Sequence, residues 1–414
     1  MKKSLFLAPL LLLATACSSD QPDSPQGGNE GNTPAITDEF TITSEELAAA
    51  ASTRGFDYAF LKGVVGDNPG ENVIVSPFSA QYALSMLANC IDEVSAAQIT
   101  EALGCDDLAS LNSFNGKYLN SVGDLDTRTT VNIANSLWYI NTLTLNSKFS
   151  DLLTDTYRAD KFARDFNDKN VADEINSWCA NKTNGLINNI IEKINSDRFV
   201  MLINALYFKG AWTEPFEEER VEMRPFYGEK GNSVIHMMTA MRTIPYLAKD
   251  NYQAVKLTFG NESFAATFIL PDENIAIDDF IAGFDYEAFT NMSFNTEKVS
   301  LMLPKCKLMP EKYDLDKTLS ALGIRNIFSG AGTDIFTEPL SFKAKIEQKS
   351  TIEFSEKGAE ASSVTTVGMD AFSNGGEDQF IPVTFTRPYL FFLTETKSGI
   401  CLMAGKVADI PSVK

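Results

Sequence analysis

The apolar positions of the chain follow two rhythms. Thr43-Ser44-Glu45-Glu46, followed by LAAAASTRGFDYAFLKGVV, joins a capping signal to apolar residues at helical spacing and predicts a helix with one buried face. Ser76-Pro77-Phe78-Ser79 opens a second helix through Tyr82, Leu84 and Leu87, proline being tolerated in a first turn where its missing amide is not needed. Residues 171–192 and 314–322 also read as helical. VNIANSLWYI at 131–140 and MLINALYF at 201–208 are instead largely apolar runs bounded by polar residues, the pattern of strands buried on two faces. Shorter runs at 253–259, 264–270, 299–304 and 388–394 add further strands. Helices and strands alternate without a regular βα unit, which predicts a mixed α+β fold rather than a barrel or a doubly wound sheet.

Between residues 39 and 409 there is no Gly/Pro/Ser linker, tandem repeat or sustained heptad, so 39–414 reads as one domain. The pattern ahead of it is different. MKKSLFLAPLLLLATAC begins with two lysines, continues with an apolar stretch too short to span a bilayer, and ends in small residues before a cysteine. Residues 1–16 therefore read as a secretory signal. Leu13-Ala14-Thr15-Ala16-Cys17 resembles a bacterial lipobox, with Ala14 where leucine is commoner, and the resemblance implies that Cys17 becomes a lipidated first residue. The alternative is an ordinary cleaved signal with an incidental cysteine. Ser18 points to the outer membrane or cell surface. Residues 18–37 are nearly all polar, Gly or Pro, and ordering them would cost entropy without burying anything. Residues 17–38 thus read as a lipidated cysteine with a flexible tether, and Cys17 as the chain's one link to a membrane.

Composition narrows the chemistry. The 414 residues carry 35 Lys plus Arg against 55 Asp plus Glu, a net charge of −20, which repels nucleic acid. A single histidine, His236, has no acid or serine pattern beside it, so histidine-based hydrolysis and histidine-ligated metals are disfavoured. Cys90, Cys105, Cys179, Cys306 and Cys401 form no CxxC pair; most read as buried thiols, with a disulfide left open. Gly27-Gly28 and Gly375-Gly376 lack the context of a phosphate cradle, and Met237-Met238-Met241 fits core packing better than a copper site. No metal, no cofactor and no enzymatic constellation are expected.

One segment does not fit an ordinary domain. Over 359–367 every side chain is small or β-branched except Glu360, and a polar, Gly-rich stretch follows at 373–379. Such a run serves as an exposed loop, yet its side chains also fit a closely packed sheet.

From residue 45 to 409 the chain resembles a serpin. The resemblance rests on Asn72-Val73-Ile74-Val75-Ser76-Pro77-Phe78-Ser79 through Leu87, on 202–212 (LINALYFKGAW), and on 385–407 ending in Gly405-Lys406-Val407. Ile175-Asn176-Ser177-Trp178, Thr183-Asn184-Gly185, Met237-Met238 and Leu303-Pro304-Lys305 support it. It implies a fold of three β-sheets and about nine helices with an exposed reactive loop at 356–384. It also implies inhibition of a serine or cysteine protease as a suicide substrate: the protease acylates on the loop, and the cleaved loop inserts into the central sheet before the acyl bond is hydrolysed. The partner is then a protease in a covalent complex, and the inhibitor a monomer. The alternative is a non-inhibitory serpin that binds a ligand or protein.

The same resemblance marks individual residues. Glu356, Lys357, Gly358, Ala359, Glu360 and Ala361 form the hinge, Ala359 replacing the usual Thr or Ser. Ser362, Ser363, Val364 and Thr365 continue it without proline or charge, either of which would oppose entry into a sheet. Counting from Glu356 puts the attacked bond at Phe372-Ser373, where an aromatic suits a chymotrypsin-like pocket; the other reading of Phe372 is an anchor against the body. The long 373–384 stretch leaves Met369 or Ala371 as alternatives for elastase-like or cysteine proteases. No Lys or Arg lies between Gly358 and Thr386, which disfavours trypsin-like targets. Ser76, Ser79 and Asn204 match a polar shutter under the central sheet, with Gln348 in place of a common histidine. Trp212 and Lys305 match positions where the loop enters the sheet, and Lys305 is expected to pair with Glu356.

Overall fold

In the computed structural model the described residues are 42–194, 200–338, 340–359 and 379–413. All of them fall in one unit, and Cys17 lies outside the described residues.

The first helical signal resolves into two helices, Ser44–Ser52 and Arg54–Asp67. The capping box forms as its residues require: Thr43 Oγ1 accepts from Glu46 N, and Glu46 Oε2 accepts from Thr43 N. The break comes at Thr53. The Ser52 and Thr53 hydroxyls turn back onto the carbonyls of Ala49 and Ala50, competing with the helical ladder where the chain changes direction. Ser76 caps the helix Pro77–Ala88, with proline in its first turn. The signal at 171–192 gives a helix only over Asn170–Lys182. Asn184 and Gly185 then adopt positive φ (51° and 81°), and the Thr183 hydroxyl takes the Cys179 carbonyl. Two successive left-handed residues end an α-helix, so 186–194 runs on as an irregular segment with Ile187, Ile191 and Ile194 buried.

Two large sheets organise the rest. The strand Gly231–Lys249 pairs with Val221–Gly228 along its first part and with Tyr252–Phe259 along its last, so two of the expected sheets run together into one nine-stranded surface. Its strands Phe264–Pro271 and Cys401–Val407 are buried at every position. Both belong to the main core, and Cys401–Val407 packs against the helices Arg54–Asp67 and Pro77–Ala88. The six-stranded sheet has the order Cys306–Leu308, Ile352–Ser355, Gly358–Ala359, Val200–Ala211, Thr129–Ile140, Asp160–Arg164. A smaller core covers one of its faces, where Val171, Ile175, Trp178 and Cys179 of the helix Asn170–Lys182 meet Trp138, Met201, Ile203 and Ala205. The strand Val200–Ala211 is not buried evenly on both faces. Met201, Ile203 and Ala205 are buried in the smaller core, whereas the alternate residues Val200, Leu202, Asn204 and Leu206 are half-buried.

Glu46 does more than cap. It also accepts from Ser113 Oγ (2.9 Å) and pairs with Lys117 Nζ (2.7 Å), fastening the first helix to Leu108–Ser121. Burial pushes its carboxyl up, but the hydrogen bonds from Lys117, Thr43 and Ser113 outweigh it and bring the pKa down to about 2 from 4.5. A lowered folded-state pKa stabilises above the unfolded value, and that gain is lost as the pH falls through the folded one. Glu46→Gln is therefore expected to cost about 1–2 kcal/mol in urea unfolding at neutral pH, with the gap to the parent closing between pH 4.5 and 2.

Candidate functional site

The strand Val200–Ala211 has two unlike edges. On one, residues 200–210 pair continuously with Thr129–Ile140. On the other, among the described residues, only Gly210 and Ala211 find strand partners, Ala359 and Gly358. Those two residues pair in turn with Phe354 and Ser355. A two-residue strand is thus wedged into the top of the sheet, holding Ile352–Ser355 apart from Val200–Ala211. Glycine is required at the head of the wedge: Gly358 has φ 147°, and a Cβ there would lie 1.9 Å from the Gly210 carbonyl oxygen. Ala359 is buried.

The turn above the wedge is held from several sides. Trp212, fully buried, donates from its indole to Ser355 O (2.9 Å) and stacks on Phe259, with centroids 4.3 Å apart. Its own N–H donates to Lys357 O (2.9 Å), and Phe216 N donates to Glu356 O (2.8 Å). Lys305 Nζ lies 2.7 Å from Glu356 Oε1, and Lys357 Nζ lies 3.1 Å from Glu218 Oε1. Burial alone would raise the Glu356 carboxyl, but the hydrogen bond from Lys305, a backbone donor and the Lys305 and Lys357 charges together hold it below the usual range. The structure therefore brings together Glu356, Lys357, Gly358, Ala359, Trp212 and Lys305. Glu360, Ala361, Met369, Ala371, Phe372 and Ser373 lie outside the described residues.

Below the wedge the two walls part around a cavity of about 750 Å³, bordered by Ser76, Ser79, Asn204, Leu206, Ile346 and Gln348. Gln348 meets the backbone of Ser76 reciprocally: Ser76 N donates to its Oε1 (2.9 Å), and its Nε2 donates to Ser76 O (2.8 Å). Ser76 Oγ donates to Leu402 O at 2.7 Å and lies 2.9 Å from Ser79 Oγ. Asn204 does not join this cluster by hydrogen bond. Its Nδ2 donates to Asn135 Oδ1 across the sheet (2.7 Å), and its own Oδ1 is buried without a hydrogen-bond partner among the described residues.

Sequence reasoning missed two contributors. Asn135, whose Nδ2 donates to Tyr157 O (2.8 Å), orients Asn204; an amide inside the apolar run at 131–140 was the available signal. Arg242 stacks over Phe216 at 4.1 Å and donates to Glu214 O and Pro215 O (2.6 and 2.9 Å), fixing the loop that holds Glu356. Nothing local in the sequence marks it. Cys90, Cys105, Cys179, Cys306 and Cys401 are all free and buried.

The family model Serpin (serine protease inhibitor) matches residues 51–410. Serpin-ZX of Arabidopsis thaliana is 29% identical over 82% of this chain and 92% of that protein. Human Serpin B9 is 26% identical over 88% and 100%, and rabbit corticosteroid-binding globulin 27% over 89% and 97%. Among solved structures, the thermophilic serpin tengpin in its native state superposes with a TM-score of 0.79 at 26% identity, covering 89% of this chain and 95% of that one. Its latent state gives 0.74 at 25% identity, covering 90% and 99%. The chain belongs to the serpin family and has the serpin fold. Serpins are in general protease inhibitors rather than enzymes.

Lys305→Met is expected to lower stability at neutral pH by about 1 kcal/mol, read by urea unfolding, since the pair is only partly shielded from water. Because Glu356 is held below its ordinary value of 4.5, the pair contributes fully above that pH and fades as the pH falls through the depressed value, so the difference disappears in acid.

Proposed function

We propose that this serpin is a suicide-substrate inhibitor of chymotrypsin-like or elastase-like serine proteases, with cysteine proteases as further targets. The observation that carries the reading is the wedge Gly358–Ala359 standing at the head of a slot whose wall, over residues 200–206, has no strand partner on that side among the described residues. The pairing of Ala359 with Gly210 is antiparallel, so each step along the loop is one step down the strand. Carrying that register on would set Ala361 opposite Phe208, Ser363 opposite Leu206 and Thr365 opposite Asn204, whose Oδ1 has no donor among the described residues. Small side chains would then meet large ones, and a hydroxyl would meet that amide oxygen. The register would end at Met369 opposite Val200, so cleavage after Phe372 leaves enough chain to fill the strand.

In the reaction the protease nucleophile adds to the Phe372 carbonyl and the bond to Ser373 breaks, the new amine taking a proton. The acyl bond stays with Phe372 while the freed chain inserts. Insertion races deacylation, and the driving force is backbone pairing and burial not yet made in the intact chain. Rabbit corticosteroid-binding globulin, at a similar level of identity, keeps a binding role in view as the second reading.

The test is incubation with chymotrypsin and with elastase, followed by denaturing gels and mass mapping of the released C-terminal peptide. A band surviving denaturation, with cleavage after Phe372, is the expected result. Complete cleavage with both proteases still active and no gain in melting temperature would favour the binding reading.

We also propose that the chain is exported and anchored in the outer membrane or at the cell surface through lipidated Cys17, its tether giving the inhibitor reach. No helix among the described residues is long and apolar enough to cross a membrane. Labelled fatty acid fed to bacteria expressing the full chain is expected to enter the parent protein and not Cys17→Ala.

A further inference from the structure

The slot is crossed lower down by a contact that its inserting role does not require. After the helix Asn170–Lys182, the segment 186–194 lies along the cavity, and Leu186, Ile187, Ile190 and Ile191 form part of its wall. It is fastened at 190–191 from two directions. On the helix side, Asn176 Oδ1 accepts from Ile190 N (2.9 Å) and Ile191 N (3.0 Å), while its Nδ2 donates to Ile191 O (2.7 Å). On the other side, Lys312 Nζ donates to Ile190 O (3.1 Å) and lies 3.1 Å from Glu347 Oε1.

Glu347 belongs to the opposite wall. The strand Glu347–Gln348 pairs with Tyr313–Asp314, which follows Lys312 directly, and Gln348 is the residue that holds Ser76. One ammonium therefore ties the segment 186–194, on one side of the cavity, to the wall at 346–350, one residue farther from the hinge than Gln348. Both partners are half-buried, with side-chain exposures of 31% and 24%, so the contact is less screened than a pair on the open surface. A strand entering between the walls adds a spacing of about 4.8 Å. Two 3.1 Å contacts to a single nitrogen cannot both persist across such a widening.

We propose that Lys312 is a positioning residue that straps the slot shut below Gln348, and that it must release Ile190 or Glu347 before the loop completes its insertion. This rests on the reading of the chain as an inserting serpin. The strap belongs to the intact form alone. It slows insertion that has not been triggered by a protease and stabilises the uncleaved chain, and it contributes nothing once the strand is in place.

The experiment compares the full chain with Lys312→Met, Lys312→Arg and Glu347→Gln. Each is melted intact and after limited chymotrypsin cleavage of the loop, and intact samples held below melting are followed for conversion to a urea-resistant form. Lys312→Met is expected to lower the melting temperature of the intact chain by a few degrees, leave that of the cleaved chain unchanged, and speed conversion roughly fivefold to tenfold, the size expected for losing one hydrogen bond that is partly screened by water. Glu347→Gln is expected to act in the same direction more weakly, and Lys312→Arg to restore parental behaviour. Equal shifts in both forms, or none, in a parent that gains stability on cleavage, would overturn the strap and leave the insertion reading intact. A parent that gains no stability on cleavage would overturn the insertion reading and the strap with it. Should Lys312→Met fail to fold, Glu347→Gln decides by the same comparison.

Discussion

A strand edge without a partner is the constraint around which this molecule is arranged. Among the described residues, 200–206 of Val200–Ala211 have a strand partner on one side only, and an edge of that length is a template for another strand. Ordinary domains cover, shorten or charge such an edge. Here it lies inside the molecule, between two walls, with the wedge Gly358–Ala359 started into it. The helices and the nine-stranded sheet have cores that do not depend on the slot being filled, so the fold can persist with its edge open.

What restrains the slot is a set of small contacts in series rather than one large interface. Trp212 and the Lys305–Glu356 pair hold the turn at the top, and Arg242 and Phe216 hold the loop that supports it. The Ser76–Gln348 exchange ties one wall to the start of the helix Pro77–Ala88. Most are hydrogen bonds or ion pairs whose individual net worth is about 1 kcal/mol. That is the right kind of interaction for a barrier that must eventually be crossed. Polar partners can be exchanged for the backbone and hydroxyls of an incoming strand, whereas an interdigitated apolar contact would have to be unpacked first.

Much of the fold was legible along the chain. The capping box at Thr43, the Ser76 cap with proline in the first turn, and the strands at 253–259 and 264–270 all follow from local chemistry, and all formed. The helix at 171–192 was read too long because Ile187 and Ile191 continue an apolar rhythm, although Asn184 and Gly185 had already ended it. The helix after Thr43 was read as one because its apolar face continues past Thr53, where two hydroxyls compete for the backbone. At the site, the hinge, Trp212 and Lys305 were legible through motif resemblance, and the structure sets Lys305 on Glu356. Asn204 was grouped with Ser76 and Gln348, yet its hydrogen bond goes across the sheet to Asn135.

By itself the sequence determined a mixed α+β fold, which faces of its elements are apolar, and that the side chains over 359–367, Glu360 apart, are small or β-branched. Those properties are local, set by periodicity, side-chain volume and capping, while the serpin family was legible only through its resemblance to known motifs. The tertiary structure decided where along Val200–Ala211 the described residues leave one side without a strand partner, that Asn135 rather than Ser76 holds Asn204, and that Lys312 reaches both Ile190 and Glu347. These pairings join residues tens to more than a hundred positions apart. They depend on how far the two walls stand from one another, a distance set by the packing of the whole sheet against its two cores and written in no single stretch of chain.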